Sequence, residues 1–380
     1  MPALPPHRNN ISGEWPMPEK YTPCTGNSNT EKTIVSGQAG DNKKWYGSLK
    51  RKVNMRKYLS GIILFSSGIL LSGVAQAGSL TENNDGFLDA SEKAALSEWF
   101  TPEKVSAGLS LGALSGSAKE RVYWDGRRVS QLDWKFKNAP ILKGNIDWDI
   151  SPWMRLGASG WVTTGSHGAS DMVDRDWRFP DQDRYTDISQ SASKLRSASS
   201  WDVNATVWGV NNDNWRLGLM AGWQQTDYRW DGHGGNYSYN NGTDVGKFDD
   251  DQKVINYKQQ FKMPYIGLTG GTRFRNVEMN TTFKYSHWVR ASDTDEHYLR
   301  ELTIRDSNHD SDFYSVSADI GYYITPQAKV FIEGEWVRIT NGTGNKTQTY
   351  HDTGDVIHYQ NASGIESSSY NVTAGLKYYF

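Results

Sequence analysis

From Val105 to Phe380 the chain alternates apolar and polar residues with a period of two, a pattern that few folds satisfy. Trp201, Val203, Ala205, Val207 and Gly209 share one face, against Asp202, Asn204, Thr206 and Trp208. Val330, Ile332, Gly334 and Trp336 oppose Lys329, Phe331, Glu333 and Glu335. Tyr370, Val372, Ala374, Leu376, Tyr378 and Phe380 oppose Asn371, Thr373, Gly375 and Lys377. One apolar face per segment is the mark of strands, and about ten such segments can be counted. Short turns fall near Ser151-Pro152, Asn211 to Asn214, Arg273 to Asn276 and Thr325-Pro326. Long polar stretches fall near 117–130, 163–198, 230–254, 289–311 and 340–364. Short connections on one side and long ones on the other predict an all-β fold, a ten-stranded antiparallel transmembrane β-barrel with short periplasmic turns and long extracellular loops. Closure leaves no strand edge unpaired in lipid. Trp148, Trp153, Trp161, Trp201, Trp215, Tyr322 and Tyr323, near strand ends, suit interfacial girdles. Such a tube is too narrow for general diffusion, because barrels of about eight strands are filled by side chains and open channels need about sixteen. Function is therefore expected at the long-loop end.

A different kind of sequence precedes the strands. The apolar run Leu59 to Ala75 follows Met55, Arg56 and Lys57 and ends in Ala75-Gln76-Ala77, which reads as a secretory signal peptide over 55–77. Met55 is then the expected start, residues 1–54 an upstream over-extension, 78–103 a periplasmic leader and 104–380 the barrel. The net charge of −2 argues against a nucleic-acid binder. Of 41 Lys+Arg and 43 Asp+Glu, 10 and 4 precede residue 78, so the expected mature part is acidic, at −8. Cys24 is the only cysteine and lies upstream, so no disulfide framework is expected.

Two acidic segments carry candidate chemistry, Asp171 to Trp177 and Asp293 to Tyr298. In extended chain Asp174 and Asp176 point one way, as do Asp293, Asp295 and His297. A carboxylate pair facing an Asp-His pair could activate water: one carboxylate orients the imidazole, which takes the proton, while the opposite pair holds the water. Crowded carboxylates would share a proton. Spacing alone equally allows a solvated acidic run or a calcium site. His167, His233, His287, His309, His351 and His358 lack the acid-x-His spacing and read as surface or girdle residues. Gly165-Ser166-His167-Gly168 lacks the elbow context of a serine hydrolase.

A set of segments in one order carries a resemblance. They are Leu114-Ser115-Gly116 with Lys119-Glu120-Arg121-Val122-Tyr123, Ser130 to Lys135, Met172-Val173-Asp174 with Asp176-Trp177, and Arg216 to Gly222. Lys262 to Leu268, Asp295-Glu296-His297-Tyr298 and Ala374 to Tyr378 complete it. From about Phe100 to Phe380 the chain resembles the omptins, outer-membrane endoproteases of Gram-negative bacteria. The resemblance implies a barrel rising above the bacterial outer membrane, with a groove at its outer mouth. It implies catalytic roles for Asp174, Asp176, Asp295 and His297, with water as nucleophile and no metal. Glu120 and Asp293 would receive the Arg or Lys before the cleaved bond, and Asp187 would favour a basic residue after it. Substrates would be cationic antimicrobial peptides or host proteins, cut by a monomer. A non-enzymatic adhesin or invasin barrel is the alternative.

The chain departs from the family pattern in two places. Family members grip lipopolysaccharide phosphates, as an activator, through cations on the barrel exterior. Here the matching positions are Trp223, Gln225, Asp227 and Gln260, so lipopolysaccharide dependence is expected to be weakened, with Arg229 or Lys258 as substitutes. The leader also carries Thr81, Asn83, Asp85, Gly86, Asp89 and Glu92 at EF-hand loop spacing. Thr in the first ligand position and the lack of a fitting entering helix make a polar leader the expected reading.

Overall fold

The computed structural model describes residues 105–380 except 166–168, 180–181 and 213. The expected upstream segment, signal peptide and leader with Thr81 to Glu92, and His167, lie outside the described residues. Among the described residues twelve strands form one antiparallel sheet: β1 (Val105–Trp124), β2 (Arg127–Ser151), β3 (Met154–Thr163), β4 (Ala169–Asp176), β5 (Asp187–Asn211) and β6 (Trp215–Tyr239). There follow β7 (Asp244–Phe274), β8 (Val277–His297), β9 (Leu302–Thr325), β10 (Ala328–Ile339), β11 (Gly344–Tyr350) and β12 (Val356–Tyr379). β3 and β4 both lie between β2 and β5, and β10 and β11 both lie between β9 and β12. Each of these pairs is therefore one interrupted stave, and β1 pairs with both β2 and β12 to close a ring of ten.

The period-two pattern sets which face goes where. Leu109, Leu219 and Ile332 point outward at 60%, 67% and 57% exposure, while their neighbours Ser110, Gly218 and Phe331 face the other way. Apolar residues outside and polar ones inside invert a soluble protein's arrangement and suit a lipid surround. Inside this band the polar residues pair: Lys284 with Asp202 at 2.9 Å, Lys329 with Glu278 at 2.8 Å, Lys377 with Asp147 at 2.6 Å, and Lys143 with both Glu333 and Glu335. Buried charge is tolerated there because each partner offsets the other's desolvation.

Two expectations need correction. The stretches expected as long loops are largely strand: β7 runs 31 residues, where 9–11 tilted residues cross a bilayer. Beyond the apolar band there is no lipid to demand an apolar face, so paired strand there looks as polar as loop. The tip between β1 and β2 shows how tight these ends are, with Asp125 and Gly126 at φ of 49° and 74° in the two-residue Asp-Gly turn that matches strand twist. The girdle list also divides. Trp148, Trp153, Trp201, Trp215 and Tyr322 are outward, but Trp161 and Tyr323 are buried inside. Tyr323 adjoins outward Tyr322, so alternation turns it inward, where its hydroxyl donates to Glu278 and Arg273 stacks on its ring at 3.8 Å.

Above the ion-paired level aromatic rings stack inside the barrel. Trp134 stacks on Tyr257 with 5.5 Å between centroids, and Trp230 packs against Trp134, Tyr228 and Tyr257 at 5.4 to 5.7 Å. All four are buried. This layer is the floor on which the candidate site stands.

Candidate active site at the barrel mouth

Asp174 and Asp176 sit on β4, inward with buried Met172, while Arg175 turns away and donates to Asp133 at 2.6 Å. Asp293, Asp295 and His297 alternate inward along the last turns of β8. His297 Nε2 lies 2.8 Å from Asp295 Oδ2. Although β4 and β8 are not neighbours in the sheet, the charge of His297 acts on Asp174 and that of Asp174 on His297. The fold thus brings the aspartate pair and the Asp-His pair to one mouth.

Burial dominates the electrostatics. It pushes the Asp174 carboxyl up to about 8, with the charge of Asp176 adding to the effect and Arg300 and His297 pulling back. Asp176 is raised too, by burial, against the charge of Arg300 and a hydrogen bond from Ser130. Burial and mutual repulsion thus both favour the protonated form of the pair. Burial alone would depress His297, but the charge and hydrogen bond of Asp295 outweigh it and hold the imidazole above its ordinary value.

The other candidates divide into two places. Glu120 on β1 and Asp293 on β8 lie together with Asp306 of β9, each offering an oxygen within 4.8 Å of the others. Tyr257 donates its hydroxyl to Asp293 Oδ2 at 3.1 Å, and Gln259 donates to Tyr257 at 3.0 Å, which ties this cluster to the aromatic floor. Three such oxygens could hold a cation, and the ammonium of Lys346 pairs with two of the three residues, Glu120 and Asp306. Asp187, opposite Asp176 in the β4–β5 register, is 1% exposed and already engaged. It accepts from the Thr186 hydroxyl at 2.5 Å and the Asn240 backbone N–H at 3.2 Å, and pairs with Arg178 at 3.1 Å.

Asp306, Lys346 and Arg300 were missed by sequence reasoning. Asp306 and Lys346 lie in stretches expected as loops, and only the hairpin register, which sets Asp306 opposite both Asp293 and Lys346, reveals them. Alternation forward along β9 from Ile304, which turns residue 306 to the same side, is the signal that could have found Asp306. On the outer face, Gln225 and Gln260 both donate to Asp227, at 2.7 and 2.6 Å, with Arg229 opposite Lys258 one step further along the same two strands.

Comparison with known proteins agrees with this architecture. A profile of the omptin family matches residues 101–380. Protease 7 of Escherichia coli (strain K12) is 46% identical over 297 residues, covering 74% of this chain and 92% of that protein. The plasminogen activator of Yersinia pestis is 42% identical over 284 residues, covering 74% and 91%. The crystal structure of the outer membrane protease OmpT from Escherichia coli matches with a TM-score of 0.72 at 46% identity, over 74% of this chain and 98% of that one. With its closed sheet and the family profile spanning the whole of it, this chain belongs to the omptin family of outer-membrane proteases.

Proposed function

We propose that this omptin is an endopeptidase that cuts beside Arg or Lys by means of a water held between Asp174–Asp176 and Asp295–His297, at a mouth facing the cell exterior. The observation that carries this reading is the 2.8 Å contact between Asp295 Oδ2 and His297 Nε2, which leaves Nδ1 free to accept a proton. Water gives that proton to Nδ1 as its oxygen attacks the scissile carbonyl carbon. The tetrahedral oxyanion then collapses, the C–N bond breaks, and the departing amine takes the proton back from His297. The proton shared by Asp174 and Asp176 lets that pair both accept from the water and donate to the developing oxyanion. Asp295, fixed beside the ring, stabilises the imidazolium formed on the way.

Glu120 and Asp293 are the proposed receptors for the basic residue before the cut, since partly enclosed carboxylates favour a guanidinium fork. Asp187 is the proposed receptor on the far side, where a substrate cation would take the place of Arg178. Cationic peptides and basic segments of host proteins are the expected substrates. Lipopolysaccharide acts as activator with a weakened grip, because Asp227 and its two glutamines stand where phosphate would meet cations. Arg229 and Lys258 are the remaining donors there. The test is cleavage of a dibasic fluorogenic peptide by the refolded barrel, with and without lipopolysaccharide; an intact peptide in both conditions would remove the enzymatic reading and leave the adhesin alternative.

A further inference from the structure

We propose that Lys346 is a specificity-determining residue, a resident cation that competes with the substrate's basic side chain for the Glu120 and Asp293 carboxylates. The inference rests on the peptide-cleaving role proposed above. Lys346 stands on β11 opposite Asp306 of β9. Its ammonium lies 2.9 Å from Glu120 Oε1 and 3.1 Å from Asp306 Oδ2, and its side chain is 1% exposed. A lysine is almost never buried this fully unless paired. Burial opposes its charge, yet Asp306 and Glu120 more than restore it, so the ammonium stays protonated.

The cluster is not saturated by this one cation. Glu120 Oε2, Asp293 Oδ1 and Asp306 Oδ1 are buried without a hydrogen-bond partner. Buried unpartnered acceptors are costly, and these belong to the cluster where the substrate side chain is expected. The pocket therefore offers acceptors to a long donor-bearing side chain, but an arriving guanidinium or ammonium also meets the charge of Lys346 at close range. A neutral donor of the same length, such as citrulline, meets the same acceptors without that repulsion. Lys346 thus narrows the gap between charged and neutral hydrogen-bonding residues before the cut, and widens the substrate class beyond Arg and Lys.

The test is a pair of fluorogenic peptides identical except for Arg or citrulline before the cleaved bond. They are given to the full-length refolded protein, Lys346→Met and Lys346→Gln, the last keeping a neutral hydrogen-bond donor for Glu120 and Asp306 in case the apolar variant fails to fold. The ratio of kcat/KM for Arg over citrulline should rise at least about tenfold in whichever variants fold, as expected when a like charge a few ångströms away is removed. Both peptides have the same length and backbone, so a merely structural loss would lower both rates and leave the ratio unmoved. An unmoved ratio in a folded, active variant overturns the role of Lys346 alone. Failure of the wild type to cut either peptide overturns the proposed function and this inference with it.

Discussion

His297 meets Asp295 through Nε2, with 2.8 Å between nitrogen and carboxylate oxygen, on two residues of one strand face. Because β8 alternates, residues 293, 295 and 297 all point inward, so a single strand supplies both a proposed pocket acid and the proposed dyad. On the other side of the mouth β4 delivers Asp174 and Asp176 by the same alternation. A rigid strand places such groups more reproducibly than a flexible loop would.

Activity should depend on pH with two limbs. His297 must be neutral to accept a proton, and its folded value is raised above 6.5, so kcat/KM should climb as pH rises through the neutral range. The Asp174–Asp176 pair loses its shared proton near 8, after which two carboxylates face the water, so the rate should fall again in the alkaline range. A steady-state profile from pH 5 to 10 checks this, and a rate that keeps climbing past 9 contradicts the shared proton.

The aromatic floor should be the stability core of the mouth. Trp230 touches Trp134, Tyr228 and Tyr257 and is fully buried, so Trp230→Ala should cost about 3–5 kcal/mol by loss of burial and creation of a cavity. Urea unfolding followed by heat-modifiable gel mobility measures it. A cost below about 1 kcal/mol would mean that the rings are not tightly packed.

Releasing Asp187 from Arg178 should change specificity after the cut. Arg178→Ala leaves a buried carboxylate short of its cation while the Thr186 and Asn240 hydrogen bonds remain. The preference for a basic residue after the cut should then rise severalfold, as competition from Arg178 ends. Peptides varied only at that position give the answer, and an unchanged preference would displace Asp187 from the substrate-binding role.

On the outer face, Asp227→Arg with Gln260→Arg should raise lipopolysaccharide affinity at least about tenfold, since each charge-assisted bond to phosphate is worth roughly 1.5–3 kcal/mol. Lipid titration of activity reads the half-maximal concentration. If it does not move, the phosphates are held elsewhere.

The ring of ten staves was legible because lipid enforces an apolar outer face at every second residue, as at Leu109, Leu219 and Ile332. Asp174, Asp176, Asp295 and His297 were legible as two same-side groups, since strand alternation is a local rule. Their joining at one site, and that of Glu120 with Asp293, came from the family resemblance and not from spacing; what placed Lys346 and Asp306 beside Glu120 and Asp293 was not legible. Glu120 and Lys346 are 226 residues apart, and their meeting depends on ring closure between β1 and β12 and on strand register above the membrane. There both faces are polar, and composition no longer separates strand from loop or inward from outward.

The most direct measurement is the turnover of His297→Ala on a dibasic peptide, with the barrel's folding verified by gel mobility. Loss of the general base should lower kcat by at least about a hundredfold, with Asp295→Asn losing a comparable factor while both variants remain folded. A folded His297→Ala barrel that cleaves at the wild-type rate would contradict water activation by His297.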